Sequence, residues 1–168
     1  MTLVFLDECG FSPSQPVNYS WTLPGERKRI PYENPQGRRI NALAMLAPYG
    51  PHPSLTWDHV PRTLRSEDLL VMLEGIPRGP EPVVIVLDNA GLHRSKVIQA
   101  ARPALEEQGI TFYYLPPYSP ELNAIEAYFG VIKRQEMPQR SYRTLDELDT
   151  AINVAFQRQE TRLLTRSP

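Results

Sequence analysis

Three acidic side chains in distant parts of the chain have the types and placement that phosphoryl transfer requires. Asp7 ends the apolar run LVFL, Asp88 follows five consecutive aliphatic residues, and Glu126 lies on a predicted helix further along. Carboxylates suit a hard divalent cation such as Mg²⁺, and a pair of such ions can hold the attacking and leaving oxygens of an in-line displacement at phosphorus. If the fold brings the three acids together, they indicate a metal-dependent reaction at phosphorus.

Each of these acids also has a structural explanation that needs no metal. Asp7 can be an ordinary acid at the end of a strand, and because side chains alternate along a strand, only one of Asp7 and Glu8 can face a site. Asp88 must be solvated, capped or metal-bound to offset the cost of its desolvation. Asn123 and Glu126 have the spacing of a helix cap and its third helical residue, so this glutamate can instead close a capping box.

His93 follows Asp88 by five residues, and its role stays open at this point. It can donate to a phosphate, orient Asp88 or cap the helix that follows, and a single histidine is more often structural than catalytic. Cys9 has no histidine partner motif, and no spacing of Cys and His resembles a zinc site. No phosphate-binding or dinucleotide-binding glycine motif is present either.

The elements that must position these residues fall into two sections of the chain. Short runs rich in strand formers come first and suggest an antiparallel meander; they span 3–8, 18–25, 39–50 and 54–60. Helices and strands then alternate: helices are predicted at 66–76, 95–109, 122–135 and 144–158, and strands at 82–88 and 110–115. The sequence therefore predicts a mixed sheet flanked by helices, in which ligands bind beyond the carboxyl ends of strands.

Details of three predicted helices bear on the site and on stability. Pro103 should kink or interrupt the helix at 95–109 because proline lacks the backbone N–H. The helix at 122–135 has an apolar stripe, which consists of Leu122, Ile125, Phe129 and Ile132. The last helix begins at Thr144, with Glu147 in capping-box spacing, and the chain beyond 158 is expected to fray.

Composition favours one soluble domain over residues 1–168. Its hydrophobic fraction is 41%, its formal net charge is −1 and it contains a single cysteine, which excludes an internal disulfide. No apolar stretch approaches the roughly 20 residues that a membrane span needs, and the N-terminus does not resemble a signal peptide. A cytoplasmic location, in a prokaryote close to the nucleoid, is therefore expected.

Basic residues are clustered although the net charge is near zero, so any affinity for DNA must be local. The candidates for phosphate contacts are Arg27, Lys28, Arg29, Arg38, Arg39, Lys133 and Arg134. The alternative explanation for such clusters is a solvated polar surface.

Three motifs in a fixed order resemble those of the DDE transposases of the mariner superfamily, in particular their bacterial insertion-sequence branch. They are LDECGF (6–11), VLDNAGLH (86–93) and LPPYSPELNAIEAYFGVIK (115–133), and the resemblance extends from Leu3 to about Phe156. The third motif is long and unusual, which makes chance agreement unconvincing. Two positions depart from the family pattern: Ala124 replaces a usual proline, and Phe129 replaces a usual tryptophan. Neither departure removes an acid.

The resemblance implies a ribonuclease-H-like catalytic core, an α/β fold in which Asp7, Asp88 and Glu126 bind two Mg²⁺ ions, with Mn²⁺ as a substitute. Asp88 and Glu126 are separated by 37 residues. Such enzymes cleave DNA at transposon ends and transfer the freed 3′-hydroxyl to target DNA, typically at TA. Residues expected to support the metal ligands are Asn89, His93, Ser119 and Asn123.

The resemblance also implies partners. Relatives carry helix-turn-helix DNA-binding modules before the catalytic core, whereas here the first acid is residue seven, so such a region is expected to be absent and to come from an upstream reading frame. A homodimer is expected because two transposon ends must be brought together. The alternatives are a non-catalytic or regulatory remnant of a transposase, and another ribonuclease-H-like nuclease.

Overall fold

Five strands form one mixed sheet in the part of the chain that the structure describes. This computed structural model describes residues 1–14, 22–27, 38–77, 79–117, 119–137 and 141–165. The strands are β1 (Thr2–Phe11), β2 (Ile40–Ala47), β3 (Ser54–Val60), β4 (Val83–Leu87) and β5 (Ile110–Tyr114). Their order is β3-β2-β1-β4-β5; β1, β2 and β3 pair antiparallel, and β4 is parallel to both β1 and β5. The predicted meander joined to parallel strands is confirmed.

Helices cover both faces of the sheet. The α-helices among the described residues are α1 (Ser66–Glu74), α2 (Lys96–Glu107), α3 (Ala124–Val131) and α4 (Leu145–Thr165). On one face, α1 and α2 bury Leu69 and Ile98 against Leu6 of β1; on the other, α3 and α4 bury Phe129 and Phe156 against β1 and β2. Both faces of the sheet are thus covered around β4, which explains its uninterrupted aliphatic sequence. No helix in the described ranges is both long and apolar enough to cross a bilayer.

The segment 18–25 was predicted to be a strand, and the structure does not support this where it is described. Residues 18–21 lie outside the described ranges, and residues 22–27 are all exposed, with a turn at Pro24 and Gly25. Gly25 has a φ of 86°, in the left-handed region that favours glycine. With no buried face and no strand partner, 22–25 lacks the packing that stabilises a strand.

Two predictions about the helices also need correction, one for α2 and one for α4. α2 continues past Pro103 without interruption, with this exposed proline on its outer side. α4 does not fray after 158 but continues to Thr165, because its buried positions continue to Gln159 and Leu163. At its start, Thr144 Oγ1 accepts the N–H of Glu147 at 3.1 Å, as the capping spacing predicted.

Candidate active site

Asp7 and Asp88 come to the same edge of β4 through the register of two parallel strands. The parallel ladder pairs Phe5 with Val86, so each aspartate lies two residues beyond this pair. β4 ends at Leu87, whereas β1 continues to Phe11 because β2 pairs with it over this length. The sequence pattern predicted that Asp7 ends its strand, and this is wrong. Asp7 lies within β1, beside the place where the neighbouring strand β4 stops.

A cleft of about 470 Å³ opens at this place and brings the three predicted acids together. The residues that line it are Asp7, Asp88, Asn89, Ala90, Leu115, Pro116, Pro117, Ser119, Pro120, Asn123 and Glu126. The lining contains no lysine, arginine or histidine among the described residues. As far as the structure describes the chain, the cleft wall is thus acidic.

Asp7 is the most buried of the three acids, with 8% of its surface exposed. Its Oδ1 accepts the backbone N–H of Glu8 at 2.8 Å, and its Oδ2 accepts the side-chain amide of Asn123 at 2.9 Å. Burial raises the pKa of Asp7 to about 7; the Glu8 N–H opposes this change, and the charges of Glu8, Asp88 and Glu126 add to it. Asp7 therefore keeps its proton to a higher pH than an ordinary aspartate, because no positive charge compensates its carboxylate among the groups that shift its pKa.

Glu126 lies in the first turn of α3, and its side chain is exposed. Asn123 occupies the cap position, but its side chain makes no cap hydrogen bond to the helix; it binds Asp7 instead. The capping-box explanation for Glu126 is therefore wrong in this structure, because the residue that should pair with it is committed to a tertiary contact.

The predicted helix at 122–135 is divided into three pieces. A 3-10 turn, Pro120–Leu122, precedes α3, and a π-helical turn, Ile132–Glu136, follows it. Ile125, Phe129 and Ile132 are buried as predicted, but Leu122 is 51% exposed because it precedes α3 instead of belonging to it. The break at Asn123 frees this side chain to point toward β1.

Asp88 is fixed on one side by the loop that follows β4. Its Oδ1 accepts the N–H of Ala90 at 2.8 Å and lies 2.7 Å from Nδ1 of His93. His93 is fully buried, and its Nε2 lies 3.1 Å from Oε2 of Glu8, an ion-pair distance without the alignment of a hydrogen bond. Burial acts to lower the pKa of His93, but Glu8 and Asp88 outweigh it and raise that pKa above its usual value.

Asn89 and Ser119, the other residues predicted to support the acids, both line the cleft. Asn89 donates to the carbonyl of Leu115 at 2.6 Å, and its Oδ1 accepts from the guanidinium of Arg94. Ser119 donates to the carbonyl of Pro117 at 3.4 Å. These bonds hold the walls of the cleft, while His93 lies behind Asp88 and outside the lining.

The sequence did not single out Glu8 and Arg94, and both contact the site's supporting residues. Alternation along β1 predicts that Glu8 and Asp7 point opposite ways, which is correct: Asp7 faces the α3 side and Glu8 the α2 side. The signal that was missing is the return of the 88–95 loop, which brings His93 to Glu8. Arg94 stacks over Tyr114, with Cζ 4.9 Å from the ring centroid.

None of the described basic candidates lines the cleft. Arg27 is exposed, and Lys28 and Arg29 lie outside the described residues. Arg38 donates to the carbonyl of Arg143 at 3.2 Å. The guanidinium of Arg39, the flexible end of an exposed side chain, lies against Gly10 of β1.

Lys133 and Arg134, in the π-helical turn, have structural contacts as well. Nζ of Lys133 lies 5.4 Å from the centroid of the Phe11 ring, a cation–π distance. Arg134 is exposed, and its Nε donates to the carbonyl of Gly130 at 3.1 Å. The ammonium end of Lys133 is thus held against β1, and the guanidinium of Arg134 lies against α3.

The arrangement as it stands does not yet amount to a complete ion-binding site. Across the described ranges, no three Asp, Glu, His or Cys side chains are grouped so that they would hold one metal ion. Binding of an ion by all three acids therefore requires a change of side-chain rotamer. Glu126, exposed at the start of α3, has the space for such a change.

The sequence of the chain matches that of a known protein family. A family model described as DDE superfamily endonuclease matches residues 2–149. The chain belongs to this family. The family match confirms the predicted endonuclease class, while placement in the bacterial insertion-sequence branch stays a prediction. A search of curated protein sequences finds no match.

Solved structures of a transposase and of an integrase catalytic core share the fold of this chain. A mariner Mos1 paired-end complex with Mg superposes with a TM-score of 0.69 at 16% identity, covering 95% of this chain and 49% of that chain. The catalytic domain of Mos1 mariner transposase gives 0.61 at 11% identity, with coverage of 96% and 76%. The catalytic core of BIV integrase gives 0.51 at 13% identity, with coverage of 92% and 80%. The ribonuclease-H-like fold is thereby confirmed. The chain spans about half the length of the Mos1 chains in the paired-end complexes it matches.

Proposed function

We propose that the chain acts as the catalytic domain of a transposase, which cleaves DNA at transposon ends and transfers these ends into target DNA. The observation that carries the proposal is the convergence of Asp7, Asp88 and Glu126 in one cleft, to whose wall the described residues contribute no basic side chain. Membership of the DDE endonuclease family supports the assignment of this cleft to cleavage of nucleic acid.

The cleft residues fit a divalent cation. Asp7 is buried beside two further acids, and burial and these charges raise its pKa, so a cation would relieve an uncompensated cluster. Oxygen ligands of this kind are those that Mg²⁺ and Mn²⁺ accept, and Asp7, Asp88 and Glu126 would hold two such ions. When bound, the ions would activate water or a 3′-hydroxyl and neutralise charge on the phosphate.

The residues of the chain itself position the acids. Asn123 holds Asp7 through Oδ2, and His93 and the N–H of Ala90 hold Asp88 through Oδ1. Asn89 and Ser119 stabilise the cleft wall through their hydrogen bonds to the carbonyls of Leu115 and Pro117. In this proposal Arg27, Arg39 and Arg134, which are exposed, contact DNA phosphates, as do Lys28, Arg29, Arg38 and Lys133.

The finer features of the function extend beyond the catalytic domain. The related Mos1 structures include a paired-end complex with the left transposon end and a strand transfer complex. For this chain we propose the same substrates, insertion at TA, a homodimer that holds two ends, and a helix-turn-helix module from an upstream frame that recognises the end sequence.

Nicking of element-end DNA tests the proposal. The full chain is fused to an end-binding helix-turn-helix module and incubated with labelled end DNA and Mg²⁺. We expect nicking that is lost in Glu126→Gln, because the amide removes the charge while it preserves the shape. Glu121→Gln, an exposed acid of the 3-10 turn nearby, is the matched control and should nick like the wild type.

Three other outcomes contradict the proposal in distinguishable ways. Equal nicking by Glu126→Gln removes this residue from the mechanism. Cleavage of an RNA–DNA hybrid or branched DNA, with end DNA left intact, identifies another ribonuclease-H-like nuclease. A wild-type chain that binds metal and cleaves none of these substrates is a non-catalytic or regulatory protein.

A further inference from the structure

The imidazole of His93 lies between two carboxylates that come from different strands. Its Nδ1 is 2.7 Å from Oδ1 of Asp88, and its Nε2 is 3.1 Å from Oε2 of Glu8. The histidine side chain has no exposed surface, whereas those of Asp88 and Glu8 are 51% and 36% exposed. Two partly exposed acids are therefore joined through one buried ring.

The contact with Glu8 is directed inward, away from solvent. Oε2 of Glu8 is buried, although about a third of the side chain is exposed, and it has no hydrogen-bond partner in the described part of the chain apart from this close approach to the ring. A carboxylate oxygen gains no hydration in such a place, so Oε2 of Glu8 contacts His93 at the expense of water contacts.

The His93 ring is contacted on two opposite sides, and two such contacts restrict rotation of the ring more than a single contact would. The backbone already holds His93, since its N–H donates to the Ala90 carbonyl at 3.0 Å and its carbonyl accepts the Tyr114 hydroxyl at 3.0 Å. With the Cα fixed, the remaining freedom is rotation of the side chain. A ring held only at Nδ1 can still tilt, whereas a ring held also at Nε2 keeps Oδ1 of Asp88 in one place.

We propose that Glu8 is a positioning residue, which fixes the Asp88 carboxylate through His93 so that Oδ2 of Asp88 is presented to the cleft. The adjacent residues Asp7 and Glu8 then act on the same site from opposite faces of β1, the first within the cleft and the second from behind the sheet. This inference rests on the proposed metal-binding function of Asp88. Partners of metal ligands are typically worth about 10–100-fold in metal affinity.

The test measures Mn²⁺ affinity of the full chain by the electron paramagnetic resonance signal of free Mn²⁺. We expect Glu8→Ala to weaken binding by about 10–100-fold. Glu8→Gln keeps an oxygen that can contact His93, and should stay within about threefold of the wild type. The control Glu107→Gln removes an equal charge from the exposed surface of α2, and should bind like the wild type.

A second readout needs no metal. The ring ¹⁵N resonances of His93, one of three histidines, should shift in metal-free Glu8→Ala and remain in place in Glu107→Gln. Unshifted resonances overturn the proposed contact. Equal loss of Mn²⁺ affinity in Glu8→Ala and Glu8→Gln overturns the positioning role, because it shows an effect of charge alone, as does unchanged affinity in Glu8→Ala. A wild type that binds no Mn²⁺ refutes the proposed metal site itself, and with it this role for Glu8.

Discussion

The side-chain amide of Asn123 donates a hydrogen bond of 2.9 Å to Oδ2 of Asp7, across 116 positions of the sequence. Asn123 is the cap residue of α3, and Glu126 lies three residues further on in the first turn of that helix. The bond therefore ties the strand that carries the first acid to the helix that carries the third. It also leaves Oδ1 of Asn123 buried without a partner among the described residues.

Asp7→Asn should stabilise the metal-free protein at pH 8. The pKa of Asp7 is raised to about 7, so protonation favours the folded state, and this contribution is fully present below the ordinary pKa of 3.8 and lost as the pH rises through about 7. An asparagine cannot ionise, and a reversed Asn123 amide can accept from it. We expect a gain of about 4–8 °C at pH 8, which corresponds to about 2 kcal/mol, and roughly a third of this gain at pH 5, where the contribution is only partly lost.

Asp58→Asn is the matched control for this experiment. Asp58 is an exposed strand residue whose Oδ1 accepts the N–H of the following residue at 2.8 Å, as Oδ1 of Asp7 does. Its melting temperature should show no comparable gain at pH 8. A gain in Asp7→Asn that is equal at both pH values would show that relief of buried charge is not the cause.

Asp88→Asn should abolish stabilisation by metal. A ligand that binds only the folded state raises the melting temperature, and Mn²⁺ or Mg²⁺ should do so here through the three acids. Asparagine retains an oxygen for Ala90 and His93 but loses the charge that a cation requires. Differential scanning calorimetry in EDTA and in excess metal measures the rise, with Glu121→Gln as the control that keeps it. A wild type without a metal-dependent rise would refute the metal site.

Glu136→Ala should destabilise the fold. Glu136 is 3% exposed at the end of the π-helical turn, where its carboxylate accepts from Gln159 at 2.8 Å and from Arg162. Its loss leaves the Gln159 amide buried without this partner, while Arg162 remains half-exposed and solvated. We expect a loss of about 1–3 kcal/mol in urea unfolding. Glu160→Ala in α4 should lose far less, and an equal loss would show that the contacts of Glu136 are not the cause.

Pro103→Ala should stabilise α2. Proline in a helix interior removes one backbone hydrogen bond and crowds the preceding turn, at up to about 3 kcal/mol relative to alanine. Because Pro103 is exposed, the substitution leaves no cavity. Pro80→Ala, outside any helix, changes the unfolded chain instead and should lower stability by about 0.4–1 kcal/mol. Chemical denaturation of both variants checks this, and a destabilised Pro103→Ala would contradict it.

Local patterns in the sequence predicted most of the sheet, whereas the three acids were selected by the resemblance of their motifs to those of a known family. The apolar runs before Asp7 and Asp88 indicated a strand at each place, and the motif around Glu126 supplied the third acid. The role of Asn123 was not predictable in this way. Its spacing to Glu126 favours a local cap, and only the folded distance to Asp7 shows that the tertiary bond takes its side chain.

The position of Glu8 illustrates the same limit. Alternation along β1 predicted its direction correctly, but no local pattern states which loop will lie on that face. Likewise, the π-helical turn after α3 ends at Glu136, whose buried contacts are with α4, more than 20 residues away, so no pattern within 122–135 itself predicts these contacts.

The staggered ends of β1 and β4 have a consequence for how this family diverges. The cleft is formed by residue 7 and by residues 88–126; no described residue from 8 to 87 lines it. Insertions or deletions in the connections between β1 and β4 can therefore accumulate without moving an acid. We therefore expect the distance along the chain between the first two acids to vary more among relatives than the interval from Asp88 to Glu126, which contains most of the cleft wall.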